Sequence, residues 1–110
     1  MANIFSRKLS RDIGTTLTAV GSYTVGVDTQ TTVIGLSLCN TTASPILVDA
    51  TVNDAVNDYY LLKGAPIPVG GSIAVIGGDE KVVITTNDSI KVKSSAVSSL
   101  DAVMSILEIT

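Results

Sequence analysis

The chain has 110 residues and a formal net charge of −3, and only 15% of its residues are charged, against about a quarter in an ordinary soluble domain. This length fits one domain, and so few charges indicate that a partner subunit covers part of the surface. Histidine is absent and Cys39 is the single cysteine, which removes the commonest general base and zinc ligand and excludes an internal disulfide.

The first segment, "MANIFSRKLSRDIG", predicts an extended or weakly helical N-terminal arm over residues 1–14, followed by a β-domain over residues 15–110. It lacks the apolar run of a signal peptide, so we expect assembly in a reducing cytoplasm. Residues 1–12 contain three cations and one acid, whereas the remainder contains four lysines and nine acids. An arm that docks on an acidic neighbouring subunit explains this asymmetry, and we expect neither nucleic-acid nor membrane binding.

The segments that follow read as short strands. "TTLTAVGSYTV" is a strand candidate, and "TTVIGLSLCN" alternates, with Ile34, Leu36 and Leu38 on one face. "SPILVDATVN" repeats that alternation, and the turn-prone "NTTASP" between the two predicts a hairpin. Asn40-Thr41-Thr42 matches the glycosylation pattern, but without a secretion signal we interpret it as a turn.

Further strands are predicted in "DYYLLK", "IAVIGG", "KVVITT" and "DSIKVKSS". The segment "GAPIPVGGS" has too many prolines and glycines for a central strand, and Gly77-Gly78-Asp79 is a tight-turn signature. The last segment, "DAVMSILEIT", is apolar on both faces and fits a sheet centre or a position under a neighbour. About eight strands with regular turns predict an all-β antiparallel sandwich, Ig-like or jelly-roll-like.

The stretch "VNDAVNDYY" is a candidate for a metal-binding or catalytic site. Asn53, Asp54, Asn57 and Asp58 resemble calcium ligands, but the central glycine and distant glutamate of a common calcium loop are missing. Two acids on one exposed turn also lack the rigid separation of a catalytic pair. We therefore interpret the stretch as a turn. No base accompanies Cys39, so we predict no enzyme, no cofactor and no metal site.

Three segments resemble small virion structural proteins of tailed bacteriophages, including phages of marine and freshwater bacteria. They are "TTVIGLSLCNTTASPILVDATVND", "YYLLKGAPIPVGGSIAVIGGDEKVVI" and "NDSIKVKSSAVSSLDAVMSILEI", and the resemblance extends over residues 13–110. Asn87 stands where a glycine is more usual. The resemblance implies a β-sandwich that serves as a particle component: a capsid decoration (cement), head-tail neck, tail or fibre-base protein.

The resulting hypothesis is a homo-oligomeric structural subunit of a phage virion, assembled in the host bacterial cytoplasm. It would dock on capsid, portal, neck or tail proteins through the arm and a sheet face. The alternative is a tail- or fibre-associated module that binds a host glycan or receptor with loops 53–58 and 64–72. The predicted protein-interface residues are Ile4, Phe5, Arg7, Lys8, Leu9 and Arg11, with Tyr59 and Tyr60 as a second group.

Overall fold

The computed structural model describes residues 3–110 as two antiparallel β-sheets packed face to face, which confirms the predicted all-β sandwich. The first sheet has five strands. Its central strand β9 lies between β1 and β3, and β6 and β7 both pair with the far side of β3. The strands are β1 (Asn3–Ile13), β3 (Gln30–Asn40), β6 (Ser72–Ile76), β7 (Val82–Thr85) and β9 (Leu100–Ile109).

The second sheet has four strands in the order β2-β8-β4-β5. The described residues contain one helical element, the 3₁₀ turn Val20–Ser22 after β2, and no helix among them is long and apolar enough to cross a membrane. The strands of the second sheet are β2 (Thr18–Ala19), β4 (Ile46–Asn53), β5 (Asp58–Ile67) and β8 (Ser89–Ser94).

The core lies between the two sheets. Each long strand contributes alternate side chains to it, as the period-two pattern requires. Strand β9 is buried on the side that faces the second sheet and open on the other, so only one of its two apolar faces is covered within this chain. The innermost side chains include Val33, Leu36, Leu38, Val48, Ala50, Ile90, Val92, Met104 and Ile106.

The predicted N-terminal arm is the edge strand of the first sheet. Residues 3–10 pair with β9 without interruption, from Asn3 opposite Ile109 to Ser10 opposite Ala102. Residues 1 and 2 of the predicted arm lie outside the described residues. This corrects the expectation of an arm separate from the domain: β1 has the period of a strand, and β9 supplies the neighbouring edge that the sequence alone does not reveal.

The predicted hairpin between the third and fourth strands is wrong. Strand β3 belongs to the first sheet and β4 to the second, so the connection crosses between sheets. Asn40 explains the crossing: its side-chain amide donates to the carbonyls of Ser44, Ile67 and Pro68 at 2.8, 3.1 and 3.2 Å. The same side chain is buried, which supports the structural reading of the Asn40-Thr41-Thr42 sequence.

The tight turn predicted at Gly77-Gly78-Asp79 is present, since the Glu80 amide donates to the Gly77 carbonyl at 3.1 Å, but it does not join a hairpin. β6 and β7 run in one direction along the same side of β3, with β6 opposite residues 36–39 and β7 opposite residues 30–33. Residues 77–81 therefore leave the sheet as a loop beside Ile34 and Gly35, where β3 itself contains a bulge. The bulge adds a residue to β3 and interrupts the ladder at this level.

Candidate protein interaction surface

Strand β1 has its apolar side on the outside of the sandwich. Phe5 and Leu9 point away from the second sheet and are 74% and 52% exposed. Ser6, Lys8 and Ser10 point the opposite way and are half-buried. A sandwich strand normally turns its apolar side inward, towards the core between the sheets. A register shift of one residue would move the whole apolar set to the other face. The register of β1 therefore leaves its apolar side chains exposed in the isolated chain.

Contacts on the inner side hold β1 in this register. The Lys8 ammonium group lies 4.9 Å from the centre of the Tyr23 ring, and the amide of Gly21 donates to the Ser10 hydroxyl at 2.7 Å. Gly21 has φ +62°, and a Cβ there would lie 2.7 Å from the Cβ of Lys8. A glycine is thus needed for the 3₁₀ turn to approach β1 so closely.

The hydroxyl of Tyr23 extends this network into the sandwich. It donates to Glu108 Oε2 at 2.9 Å and accepts from the Thr31 hydroxyl at 2.7 Å. Burial, together with the neighbouring Glu108 carboxylate, raises the pKa of Tyr23 above 10.0. The network links β1, β3 and β9 at one end of the first sheet, so the predicted arm is bound to the fold by specific contacts.

On its outer face the first sheet presents aligned cross-strand rows of side chains. In one of them Phe5 lies opposite Leu107, Leu107 opposite Thr32, and Thr32 opposite Val83 of β7. We call this the Phe5 row. Val83 is 62% exposed, so the row is accessible at both sheet edges and contains no charge.

Two further rows run beside it. In the Leu9 row, Leu9 of β1 is followed across the sheet by Val103, Ser37 and Ala74. Between these two apolar rows lies the Arg7 row, which crosses Ser105 and Gly35 and ends beside loop 77–81. The outer face is therefore mostly apolar or small, with one cation, Arg7, near its middle.

The structure brings together only part of the first predicted group. Phe5, Arg7 and Leu9 share the outer face. Lys8 points inward onto Tyr23, and Ile4, although 51% exposed, is on the inner side opposite Glu108. Arg11 lies in the irregular end of β1, with its Nε 4.0 Å from Asp12 Oδ2. The alternation of a strand, which the arm hypothesis did not assume, separates these side chains.

The second predicted group lies at the opposite lateral edge of the sandwich. Tyr59 and Tyr60 are on β5, the edge of the second sheet that lies next to β6, whereas β1 lies next to the 3₁₀ turn and β8. The Lys63 ammonium group is 4.5 Å from the centre of the Tyr60 ring, and the Tyr59 hydroxyl donates to Asp54 Oδ2 at 3.2 Å. Tyr59 and Tyr60 are exposed, but they do not form one surface with β1.

A buried carboxylate on the second sheet was not singled out from the sequence. Asp49 accepts a 2.7 Å hydrogen bond from the Gly64 amide, and the ammonium groups of Lys63 and Lys93 lie 3.9 and 3.7 Å from its Oδ2. It lines an open depression of about 370 Å³ together with Thr15 and Leu47, among others. The two lysine ammonium groups balance the negative charge of Asp49, and its bond from the Gly64 amide connects β4 to β5 where their pairing is bulged.

Stretch 53–58 is a turn between β4 and β5, as predicted. Asp54 Oδ1 accepts from the amides of Val56 and Asn57 at 3.0 and 2.7 Å, and Asn53 Oδ1 accepts from the Ala55 amide at 2.8 Å. The Asn57 and Val56 amides hold the pKa of Asp54 below its usual 3.8. These side chains bond to their own backbone, which is the ordinary role of Asn and Asp in turns.

Residues 3–110 contain no group of three or more His, Cys, Asp or Glu side chains placed to hold a metal ion. Cys39 is half-buried, and its thiol lies 3.8 Å from the carbonyl oxygen of Asn40. Comparisons of this chain with models of protein families, with curated proteins and with solved structures found no match.

Proposed function

We propose that this protein is a structural subunit of a tailed-bacteriophage particle, a capsid decoration or head-tail neck component. It docks on other virion proteins through β1 and the outer face of the first sheet. The observation that supports docking most directly is the inverted side-chain pattern of β1. Phe5 and Leu9 face outward beside Val103 of the central strand, and all three side chains are exposed in the isolated chain.

Covering the outer face of the first sheet with a partner is energetically favourable, and the face is large enough for a specific interface. Complete burial of one large apolar side chain stabilises by about 1.5–3 kcal/mol. Four strand positions at about 4.8 Å spacing and eight residues at about 3.3 Å rise give a plane of about 500 Å². Side-chain relief enlarges that figure towards the roughly 600 Å² per partner at the lower end of specific interfaces. One such contact per neighbour suits a protein present in many copies.

The proposal of a phage particle rests on the sequence resemblance. Residues in the resembling segments form specific turns in this structure. In "PIPVGG", the amide of Gly71 donates to Pro68 at 2.9 Å and the Gly71 carbonyl accepts from the Asn40 amide at 3.0 Å. This turn carries the chain from the second sheet back to the first. Asn87 has φ +73°, a conformation that explains why glycine is more usual at this position.

The glycan-binding alternative requires loops 53–58 and 64–72 to form one site, and the structure separates them. Loop 53–58 precedes β5 and the turn after Ile67 follows it, so ten residues of extended chain place them about 30 Å apart. Two loops at opposite ends of a strand do not line one pocket. Screening the isolated protein on a glycan array checks whether either loop binds a sugar alone.

The proposal is tested by incorporation into particles. The chain should be detected in purified virions by mass spectrometry and located there by cryo-EM. The double variant Phe5→Ser/Leu9→Ser should reduce incorporation at least about tenfold, because it removes outward apolar contacts without touching the core. The matched control is Val56→Ser, on the exposed 53–58 turn. Absence of the chain from particles, or normal occupancy of the double variant, would contradict the proposal.

A further inference from the structure

We propose that copies of this chain join head to tail, with β1 of one copy paired to the β6–β7 edge of the next. Their first sheets then form one continuous sheet. This inference rests on the proposed function and deepens it, because it names the partner of the same β1 surface. Within residues 3–110, β1 pairs only with β9, and β6 and β7 pair only with β3. Each therefore presents free backbone donors and acceptors to a neighbour.

The strand directions allow this pairing without turning a copy over. Neighbouring strands of the first sheet are antiparallel throughout, so β1 and β3 run one way and β9, β6 and β7 run the other. When a second copy continues the sheet, its β1 lies antiparallel to β6 and β7 of the first. The two outer faces then lie on the same side, which doubles the apolar surface offered to the particle.

The charges at the two edges match at the same level of the sheet. The Arg7 row crosses Ser105 and Gly35 and ends where loop 77–81 leaves the ladder. Asp79 and Glu80 are exposed in that loop, while the Lys81 ammonium group donates back to the Gly78 carbonyl at 2.7 Å. Continuing the sheet therefore places Arg7 of one copy beside a loop of the next that contains two acids and one lysine and so is net negative.

The apolar rows match in the same register. The Phe5 row ends at Val83, which is 62% exposed, and continuation sets Phe5 of the next copy beside it. The Leu9 row ends at Ala74, so Leu9 of the next copy meets a small side chain. One register thus satisfies the charged row and both apolar rows at once, and cross-strand pairs are what fix register in a sheet.

Pairing of β1 with β1 is the competing arrangement, and the charges oppose it. An antiparallel β1 pair centred on Arg7 or Lys8 would set a cation of one copy against a cation of the other. Like charges that face each other across strands are destabilising. A head-to-tail contact also uses two different surfaces, so repetition builds a ring or a filament instead of a closed dimer.

Cysteine crosslinking of the full chain distinguishes the two arrangements. In a Cys39→Ser background, Arg7→Cys and Glu80→Cys are introduced together. Three strand spacings, about 14 Å, separate the two edges within one chain, so a disulfide can form only between copies. Mild oxidation should give a ladder of multimers from the double variant and only monomer from Arg7→Cys alone. Dimers from Arg7→Cys alone, or no ladder from the double variant, would overturn the inference.

Charge reversal gives a second, independent readout. Arg7→Glu should weaken self-association at least about tenfold in sedimentation experiments, and adding Asp79→Lys and Glu80→Lys should restore it to within about threefold. Lys91→Glu on the second sheet is the matched control and should change nothing. An unaltered association constant for Arg7→Glu also overturns the inference. If self-association fails but the chain is found in virions, the proposed function stands; a ladder-forming chain absent from virions defeats only the proposed function.

Discussion

Lys8 places its ammonium group 4.9 Å from the centre of the buried Tyr23 ring, on the inner side of the first strand. A cation over an aromatic face adds about 0.5–1 kcal/mol when exposed and more when it is shielded from water. Here the contact also fixes which side of β1 faces the second sheet. Because the polar inner side of β1 has its own partners, the apolar side of β1 faces outward.

Truncation tests whether β1 belongs to the fold. Deleting residues 1–12 removes the ladder with β9 and the contacts of Lys8 and Ser10. The free energy of unfolding should fall by about 3 kcal/mol or more, measured by urea denaturation. The outward double variant Phe5→Ser/Leu9→Ser serves as control and should stay within about 0.5 kcal/mol of the parent. Equal stability of the truncated chain would restore the view of a separate arm.

Strand β9 offers a matched pair of substitutions. Ile106 is 0% exposed and Val103 is 49% exposed. Ile106→Asp should cost about 3 kcal/mol or more, because it buries a charge without a partner. Val103→Asp should change stability by about 0.5 kcal/mol or less yet weaken docking. Thermal and chemical denaturation check both, and similar losses for the two variants would show that the faces are wrongly assigned.

The Tyr23 hydroxyl provides a test of the buried network. Tyr23→Phe removes the donor to Glu108 and leaves the buried Thr31 hydroxyl without its acceptor. A loss of about 1–2 kcal/mol in unfolding free energy is expected. Tyr59→Phe, whose hydroxyl bonds to Asp54 at the surface, should cost less than about 0.5 kcal/mol. If the two substitutions lower the unfolding free energy equally, the Tyr23 network stabilises the fold no more than one exposed hydrogen bond does.

Asn40 should be among the most sensitive polar positions. Its amide donates to carbonyls of two separate connections, and its Oδ1 accepts from the Thr42 amide at 2.9 Å. Asn40→Ala removes all of these bonds and leaves the buried Ile67 carbonyl without this donor, so we expect a loss of about 3 kcal/mol, measured by urea denaturation. Thr41→Ala, an exposed neighbour, is the control. An Asn40→Ala protein as stable as that control would refute the assigned role.

The turn after β4 should respond to acid. Because the pKa of Asp54 is lower in the folded chain than its usual 3.8, the ionised form stabilises the turn above that pH. This contribution is lost as pH falls through the folded pKa. NMR titration should give a midpoint below 3.8 for the Asp54 carboxyl, with the Val56 and Asn57 amide shifts following it. Asp54→Asn should abolish that step, and a midpoint at or above 3.8 contradicts the assignment.

Local pattern was sufficient for the fold class and for several strands. Alternation identified β3, β4 and β8, because each has one face in the core. β9 was predicted from a segment that is apolar on both faces, and the structure buries one of them. Within β3 the prediction failed at one point: Val33 is buried and Ile34 only half-buried. The bulge between Val33 and Gly35 adds a residue, and no local sequence pattern announces such an insertion.

The sequence revealed the strands more readily than it revealed which strands pair with each other. "NTTASP" has the turn residues of a hairpin, yet the side chain of Asn40 bonds to a turn that lies 28 residues ahead. The first segment predicts an arm because its apolar residues can share one side of a short helical turn and because its charge differs from that of the remaining chain, whereas pairing with β9 makes it a strand. The structure places the exposed Phe5, Arg7 and Leu9 on one face and Lys8 on the other, and the role of these residues in an interface stays a prediction.

The pairing of β1 and β3 with β9 has a consequence for synthesis. Strand β1 finds its hydrogen-bonding partner only when residues 100–109 have been translated, since Asn3 pairs with Ile109. Distant contacts of this kind slow folding, and nascent chains with open strand edges aggregate readily. The positive charges of Arg7, Lys8 and Arg11 oppose such aggregation while β1 has no paired neighbour.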